Sequence, residues 1–397
     1  MKLKFLKSTK PKPANGGQSP ASARGTGRRW TGRGALPILA LLLLGARAVV
    51  AAPVITGLYP PVLNEHAGDH VAFTVKATGS GTLQYQWYFN GTALANQTSA
   101  SVVITNIQPA NSGQYGVTVV DSSATSASNS AALNVSSTYL PLYPTNLVVA
   151  RLGDGVQTLS AATGNTIYLD QYTTNGVYVS TVQIPDEVAG QTYGTGSSKT
   201  PVGSPSVILP GAGSDAINQG ALTLSGNQQF ITLAGYQLAW PYTGSDVTAG
   251  GATYVRGIYD VNAYGYPTLA YTNYGLYSGG NHTIRSAVTL DGTNFWTTGQ
   301  AGSVGGVKAV SATNTAYATG SGIPTISSST MGSRVVQIAN GNLVFSDAAA
   351  TGGHGLWAAN GLPQPPAGAA GSTATSLVLN EGGLPNDFAI SPDGQTV

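Results

Sequence analysis

The sequence has no cysteine, and only 32 of its 397 residues are formally charged, 17 basic and 15 acidic. The absence of cysteine excludes disulfide bonds, thiol catalysis and metal sites with cysteine ligands. A chain of this length can still bury enough apolar surface to fold without cross-links. The abundance of glycine and tyrosine, 53 and 20 residues, favours short strands and turns. No stretch has the 3.6-residue period of an amphipathic helix, so we predict an all-β protein.

The basic residues are concentrated at the start of the chain. Residues 1–52 contain ten of the 17 Lys and Arg and no Asp or Glu. From Pro53 onward the chain has 7 basic and 15 acidic residues, a net charge of −8. A nucleic-acid partner requires a basic surface that replaces phosphate counterions. The body of the chain lacks this charge, and we expect no nucleic-acid partner.

The basic segment leads into a short apolar run. Residues 1–34 are basic and polar, Ala35–Ala46 reads "ALPILALLLLGA", and small residues follow in "ARAVVAAP". This order predicts a signal peptide over residues 1–52 with a long basic n-region. Twelve apolar residues are short for a membrane span of about 20. We therefore expect a secreted or cell-surface protein without a membrane span in the mature chain. The alternative is a leader that is retained as an anchor.

Residues 53–136 show the alternation of half-buried strands. In "HVAFTVKAT" the side chains of Val71, Phe73 and Val75 share one face. The segment "GTLQYQWYFNGTAL" places a hairpin turn at Asn90-Gly91. Further strands are predicted in "SASVVITNI", "NSGQYGVTVV" and "SNSAALNVS". The segment therefore has the strand count and turn spacing of a small β-sandwich.

Four positions in this sandwich form a recognisable set. Trp87 lies between Val75 and Val117, and Tyr115 stands two residues before Val117. The segment resembles the immunoglobulin-like sandwich, in which a strand Trp packs on a disulfide and a Tyr precedes the second Cys by two residues. The resemblance covers about 80 residues and implies a structural role for all four side chains. Here the two cysteines are replaced by valines, so the resemblance implies a disulfide-free, I-set-type domain.

After a Ser/Pro-rich linker at residues 137–146, residues 147–397 repeat one pattern of strand, tight turn and strand. A turn at Asn175-Gly176 comes first, and the later turn glycines are Gly226, Gly292, Gly341 and Gly394. A hairpin that recurs at this spacing resembles the blades of a β-propeller. The alternative is an irregular β-sandwich or a β-helix. Because Val397 falls inside a hairpin strand, we expect an incomplete propeller-like domain and a chain that is a fragment of a longer protein.

Motifs of catalysis and cofactor binding are missing from the sequence. It has no G-x-S-x-G, Walker or Rossmann pattern and no EF-hand loop. His66 and His70 would need a helix to share a face, and this stretch leads into a strand. We therefore predict no catalytic residue, no metal and no cofactor. The acidic residues are too scattered to identify the carboxylate pair of a glycosidase.

Candidate binding residues come from aromatic clusters and from one loop. Tyr and Trp rings beside Gly and Asn turns can stack on sugars, and the alternative is ordinary packing between strands. A loop in "GGNHTIRS" is expected to face the mouth of the propeller, and the alternative is a solvated surface loop. The candidates are Trp240, Tyr242, Tyr264, Tyr266, His282 and Arg285.

Together these patterns predict an exported protein with a binding, adhesion or structural role toward an extracellular glycan or protein. The alternative function is that of a propeller-type polysaccharide hydrolase or lyase, with carboxylates contributed partly by sequence beyond this chain. Fold alone does not distinguish the two, because the same sandwich and propeller scaffolds carry many activities.

Overall fold

The computed structural model describes residues 52–159, 164–186, 209–210, 219–238, 240, 254–273, 275–277, 283–300, 305–312, 323, 325–327, 332–348, 354–359, 361–363, 375–380 and 387–391. Within these residues the regular structure is β, with one short 3-10 turn and no α-helix, so the predicted all-β class is confirmed. Nothing among them forms a helix that is long and apolar enough to span a bilayer. The predicted leader lies almost entirely outside the described residues.

The first domain is a sandwich of two sheets. Strands β1, β3 and β6 form one sheet, and the other has the order β2-β8-β7-β4-β5. Neighbouring strands are antiparallel except β2 and β8, which run parallel. The strands are β1 (Val54–Tyr59), β2 (Val62–His66), β3 (Val71–Thr78), β4 (Gln84–Phe89), β5 (Thr92–Ala93), β6 (Ser101–Ile104), β7 (Gly113–Val120) and β8 (Ser126–Ser136).

The core of the sandwich contains the four residues that the sequence analysis assigned to it. Val75 on β3 of one sheet and Val117 on β7 of the other are buried in one apolar cluster with Trp87. The Trp87 indole N–H donates to the Ser99 carbonyl at 2.9 Å. The Tyr115 hydroxyl donates to the carbonyl oxygen of Asn111 at 3.1 Å, and this hydrogen bond fixes the turn before β7.

The second region is built from antiparallel sheets that follow one another along the chain. The sheets have the orders β12-β11-β9, β14-β15-β16-β17, β18-β19-β20 and β21-β22-β23-β24, and β10 pairs with β13. The strands are β9 (Leu147–Leu152), β10 (Gly164–Asn165), β11 (Ile167–Tyr172), β12 (Tyr178–Gln183), β13 (Leu209–Pro210), β14 (Thr223–Leu224), β15 (Phe230–Tyr236), β16 (Arg256–Asn262), β17 (Pro267–Asn273), β18 (Thr283–Thr289), β19 (Asn294–Gln300), β20 (Gly306–Ser311), β21 (Ser333–Ala339), β22 (Asn342–Asp347), β23 (Gly355–Ala359) and β24 (Thr375–Asn380).

The predicted hairpin turns are present wherever the structure describes them. Gly176, Gly292 and Gly341 join β11 to β12, β18 to β19 and β21 to β22, and each has a φ between 73° and 86°. Residues with a Cβ rarely adopt this conformation, which explains the use of glycine. Gly226 lies in the β14–β15 hairpin, and the turn at Gly394 lies outside the described residues.

Successive sheets of the second region contact one another directly. The Gly226 N–H donates to the Thr289 carbonyl at 2.9 Å, which links the turn after β14 to the end of β18. The Val336 N–H donates to the Ser286 hydroxyl at 3.0 Å, which links β21 to β18. None of the described sheets closes on itself, so the propeller arrangement stays a prediction.

Candidate functional site

The two domains meet where β2 of the first domain packs on β12 of the second region. The Asn64 side-chain amide donates to the Val179 carbonyl at 2.6 Å. The Tyr178 hydroxyl accepts the backbone N–H of Asn64 at 3.1 Å. Both partners come from strands, so these bonds join two rigid elements. We call this contact and the buried groups around it the domain junction.

His70 is fully buried at the centre of the domain junction. Its Nε2 lies 3.3 Å from the Thr166 hydroxyl, and its Nδ1 lies 3.2 Å from the Gln183 amide nitrogen and 3.8 Å from Asp186 Oδ1. The Trp240 ring stacks on the imidazole with the centroids 4.8 Å apart. Burial lowers the pKa of His70 to about 4, so the ring is neutral near pH 7.

Thr166, His70 and Asp186 supply a hydroxyl, an imidazole and a carboxylate, which are the groups of nucleophilic catalysis. Their surroundings argue against this chemistry. All three side chains are fully buried, and the Thr166 hydroxyl donates directly to Asp186 as well as facing His70. The Thr166 hydroxyl is therefore not exposed to solvent in this arrangement. The group therefore fixes the orientation of the two domains.

A second group of the domain junction carries charge. Arg151 on β9 donates through Nε and Nη2 to the two carboxylate oxygens of Asp170 on β11, at 2.6 and 3.0 Å. The guanidinium also lies over the ring of Tyr168, 4.2 Å from its centroid. Glu65 on β2 is buried beside this pair, and desolvation raises its pKa well above the ordinary value. The Glu65 carboxyl therefore holds its proton at a pH where a solvated carboxyl is ionised.

A cleft of about 260 Å³ opens beside the domain junction. Its walls come from both domains and from the linker. Amides, hydroxyls and apolar groups make up this lining, and none of its side chains is charged. The lining residues are Asn64, Asn134, Val135, Ser136, Leu140, Pro141, Tyr143, Val179 and Ser180.

Two exposed tyrosines lie on the β16–β17 turn. The linker contacts this turn and also lines the cleft. The side chains of Tyr264 and Tyr266 are 77% and 53% exposed. Asn262 Oδ1 accepts the backbone N–H groups of both residues, at 2.9 and 3.1 Å. The linker residue Tyr139 stacks on His66 at 3.7 Å and meets Tyr266 edge-on at 5.0 Å. We call these three tyrosines and the cleft the junction surface.

Gly265 brings the linker close to this turn. A Cβ at Gly265 would lie 2.2 Å from the Leu140 carbonyl oxygen, and the residue has a φ of 76°. The Leu142 N–H donates to the Ala263 carbonyl at 2.9 Å. Only glycine permits this close approach, so the backbone under the two exposed rings is fixed before any ligand binds.

The candidates from the sequence are spread over different environments. Tyr264 and Tyr266 belong to the junction surface, and Trp240 is half-buried against His70. Arg285 was predicted in a loop, but it lies inside β18 and is buried. Its guanidinium donates to the carbonyls of Gly332 and Ser333 at 2.9 and 3.3 Å. Arg285 therefore joins two sheets instead of facing a ligand. Tyr242 and His282 lie outside the described residues.

Sequence reasoning missed the residues of the domain junction. The available signal was the rarity of charge, because an acidic residue inside a strand such as "YLDQY" or "LNEH" is unusual when so few acids exist. The missed residues are Glu65, His66, His70, Arg151, Thr166, Asp170 and Asp186. Within the described part of the chain, no three His, Asp or Glu side chains are placed to hold a metal ion.

Comparison with known proteins identifies the first domain. Residues 57–135 match the immunoglobulin I-set domain. This match agrees with the sandwich, the buried tryptophan and the tyrosine hydrogen bond described above. It covers about a fifth of the chain, and we refer to this part as the I-set-like domain.

Solved structures are similar to about a fifth of the chain. The N-terminal four Ig domains of Dscam1 isoform 4.44 are 23% identical, with a TM-score of 0.20, 22% of this chain covered and 21% of that one. Drosophila OTK extracellular domains 3–5 are 21% identical, with a TM-score of 0.20, covering 22% and 32%. Titin M4 is 23% identical, with a TM-score of 0.20, covering 22% and 99%. The match spans about a fifth of the length of the Dscam1 structure. No curated protein matches the chain.

Proposed function

We propose that this protein is an exported extracellular or cell-surface binding protein, and that it binds a glycan or protein ligand on its junction surface. The leader pattern of residues 1–52 supports export. The I-set match of residues 57–135 supports a binding or adhesion module. In this proposal the first domain also sets the shape of the site, because the cleft takes part of its lining from β2 and β8.

The observation that carries the proposal is a pair of exposed aromatic rings on a fixed turn. An exposed tyrosine ring leaves apolar surface in water, and binding a ligand removes that surface from solvent. A turn that is already ordered spares the ligand most of the entropy cost of fixing the chain. Tyr264 and Tyr266 satisfy both conditions because Asn262 and Gly265 hold their backbone.

The neutral lining of the cleft favours an uncharged ligand group. Amide and hydroxyl side chains exchange hydrogen bonds with the hydroxyls of a sugar, and tyrosine rings stack on its apolar face. A charged group placed among these residues would lose its hydration without gaining a counter-charge. A neutral glycan therefore fits the junction surface better than an acidic one.

For the second region we propose a propeller-like arrangement. Its support is the succession of antiparallel meander sheets, two of them four-stranded, in which the sheet of β18–β20 contacts both the sheet before it and the sheet after it. Four-stranded meanders are the blades of β-propellers. An experimental structure of the second region would test whether the sheets surround a common axis.

The proposed function is tested with the secreted chain on an array of neutral and acidic oligosaccharides. We expect binding to neutral oligosaccharides, and we expect Tyr264→Ala with Tyr266→Ala to weaken the strongest of these interactions by about tenfold or more. Tyr59→Ala is the matched control, because Tyr59 is also 53% exposed but lies on β1 of the I-set-like domain.

Equal losses for the control and the double variant would contradict the proposed surface, and an absence of binding to any glycan would contradict the glycan ligand. Release of new reducing ends from the bound oligosaccharide would instead favour the hydrolase or lyase function.

A further inference from the structure

Among the residues that the structure describes, the domain junction contains more acidic than basic side chains. Five acids of the junction are buried, and Arg151 is the basic side chain that lies among them. Arg151 is already engaged by both carboxylate oxygens of Asp170. The five acids are Glu65, Asp69, Asp154, Asp170 and Asp186.

The negative charge of an ionised Glu65 would be poorly stabilised by its neighbours. Glu65 is 1% exposed, and its Oε2 has no hydrogen-bond partner among the described residues. A carboxylate in such a position loses its hydration and gains little in return. A protonated carboxyl has no net charge, and its burial is much less unfavourable. The geometry alone therefore favours the neutral form of Glu65 in the docked protein.

The groups that face Glu65 come from several packed elements, and their effects on its pKa differ in sign. Burial is the largest effect and raises its pKa; Asp69, on the turn after β2, and Asp170, on β11, raise it further. Arg151 on β9 and a hydrogen bond with Thr181 on β12 lower it. The net result is a raised pKa.

We propose that Glu65 is a proton-dependent lock between the I-set-like domain and the second region. Docking of the two domains is favourable when the Glu65 carboxyl is protonated and less favourable when it is ionised. The two domains are therefore tightly docked at acidic pH and separate increasingly as the pH rises.

The direction of this pH dependence follows from linkage. In a separated state Glu65 is solvated and has the ordinary pKa of about 4.3. The docked state binds the Glu65 proton more tightly, so the contribution of Glu65 to docking is complete below that value and is lost progressively above it. His70 acts in the opposite direction, because its pKa is about 4 in the docked state and about 6.5 when solvated. The two effects offset one another up to about pH 6.5, and above it the docking constant falls by about tenfold for each pH unit until the raised pKa of Glu65 is reached.

Separation would also divide the junction surface. Asn64 and Val179 lie on opposite sides of the contact. His66, which stacks on Tyr139, likewise lies across the contact from the turn that carries Tyr266. Ligand binding should therefore weaken at the pH where the lock opens. This consequence rests on the proposed function, whereas the lock itself does not.

The absence of cysteine allows a direct test on the full chain. Thr92→Cys and Thr293→Cys place one spin label on an exposed site of each domain, and pulsed electron resonance measures the distance distribution between them. We expect one narrow distance at about pH 5 and a second, broader population that grows toward about pH 9. Glu65→Gln should keep the narrow distance throughout, because glutamine has the same shape and does not ionise.

Asp121→Asn is the matched control. Asp121 is a buried acid of the I-set-like domain, but Ser123 and other donors hold its pKa below the ordinary value. It is ionised throughout this range, so the variant should open like the wild type. If Glu65→Gln does not fold, Asp69→Asn replaces it and should give a smaller open population at about pH 9.

Two results would overturn the lock: a single narrow distance in the wild type at all pH values, or the same opening in Glu65→Gln as in the wild type. If Glu65→Gln fails to fold, an open population in Asp69→Asn that equals or exceeds that of the wild type would also overturn it. If the two domains separate with pH as expected but no glycan binds at about pH 5, only the proposed function is contradicted.

Discussion

The core of the I-set-like domain and the domain junction both contain fully buried side chains, but those of the core are apolar and those of the junction are polar. Phe73, Trp87 and Leu133 in the core are fully buried and apolar, whereas His70 and Asp186 at the junction are fully buried and polar. Burial of apolar surface is not directional, so the core tolerates replacement of a disulfide by two valines. Hydrogen bonds and ion pairs are directional. The junction therefore fixes how the two domains are oriented, and a change in one of its groups should affect the others.

The largest effect is expected from breaking the apolar core. Trp87→Ala removes the largest fully buried side chain of the I-set-like domain and should lower its free energy of unfolding by about 3–5 kcal/mol. Hydrogen exchange of the β3 and β7 amides measures this domain separately from the second region. Tyr59→Ala, at an exposed site, should change the same amides by less than about 0.5 kcal/mol. Similar losses for the two variants would contradict the assigned core.

A disulfide at the two valine positions would test whether Val75 and Val117 face each other in the apolar core. Val75→Cys with Val117→Cys should form a bond between the two sheets and raise the free energy of unfolding by roughly 2–4 kcal/mol. Denaturation with and without a reductant measures the difference in one protein, because the chain has no other cysteine. Val75→Cys alone is the control and should not respond to the reductant. Thiols that stay free under oxidising conditions would show that the two positions are not apposed.

A smaller effect is expected at the domain junction. Arg151→Met leaves the Asp170 carboxylate without its bidentate partner, but the Arg151 side chain is 36% exposed, so water compensates in part. We expect a loss of about 1–3 kcal/mol, confined to the amides of β9, β11 and β12. Lys76→Met, which removes an exposed cation from β3, should have almost no effect. Exchange that increases first in the I-set-like core would contradict the separation of the two regions.

Local patterns were sufficient to predict much of the fold. The residues Trp87, Tyr115, Val75 and Val117 identified an immunoglobulin-like sandwich, and the I-set match confirms it. Turn chemistry predicted the hairpins at Gly176, Gly292 and Gly341, because a left-handed backbone conformation strongly selects glycine. These features depend on neighbours in the sequence or within one sheet.

The candidate site was only partly predictable. Tyr264, Tyr266, Tyr271 and Tyr277 lie in one aromatic stretch, yet the first two are exposed and the last two are buried. Which ring faces solvent depends on the sheet and linker that pack against it, and composition carries no record of that packing. Arg285 was misplaced for a related reason: the segment "GGNHTIRS" favoured a loop, whereas Arg285 lies inside β18 and donates to carbonyls of a neighbouring segment.

The sequence by itself determined that this chain builds β-sheets without disulfides, where its hairpins turn and which residues fill the core of its first domain. Alternation and glycine conformation are properties of a few consecutive residues, so they can be read from the chain directly. The tertiary structure decided that Glu65, His70, Arg151 and Asp186 meet between two domains. Their partners lie up to about a hundred residues away along the chain, and the environment that sets their charge exists only after the domains have docked.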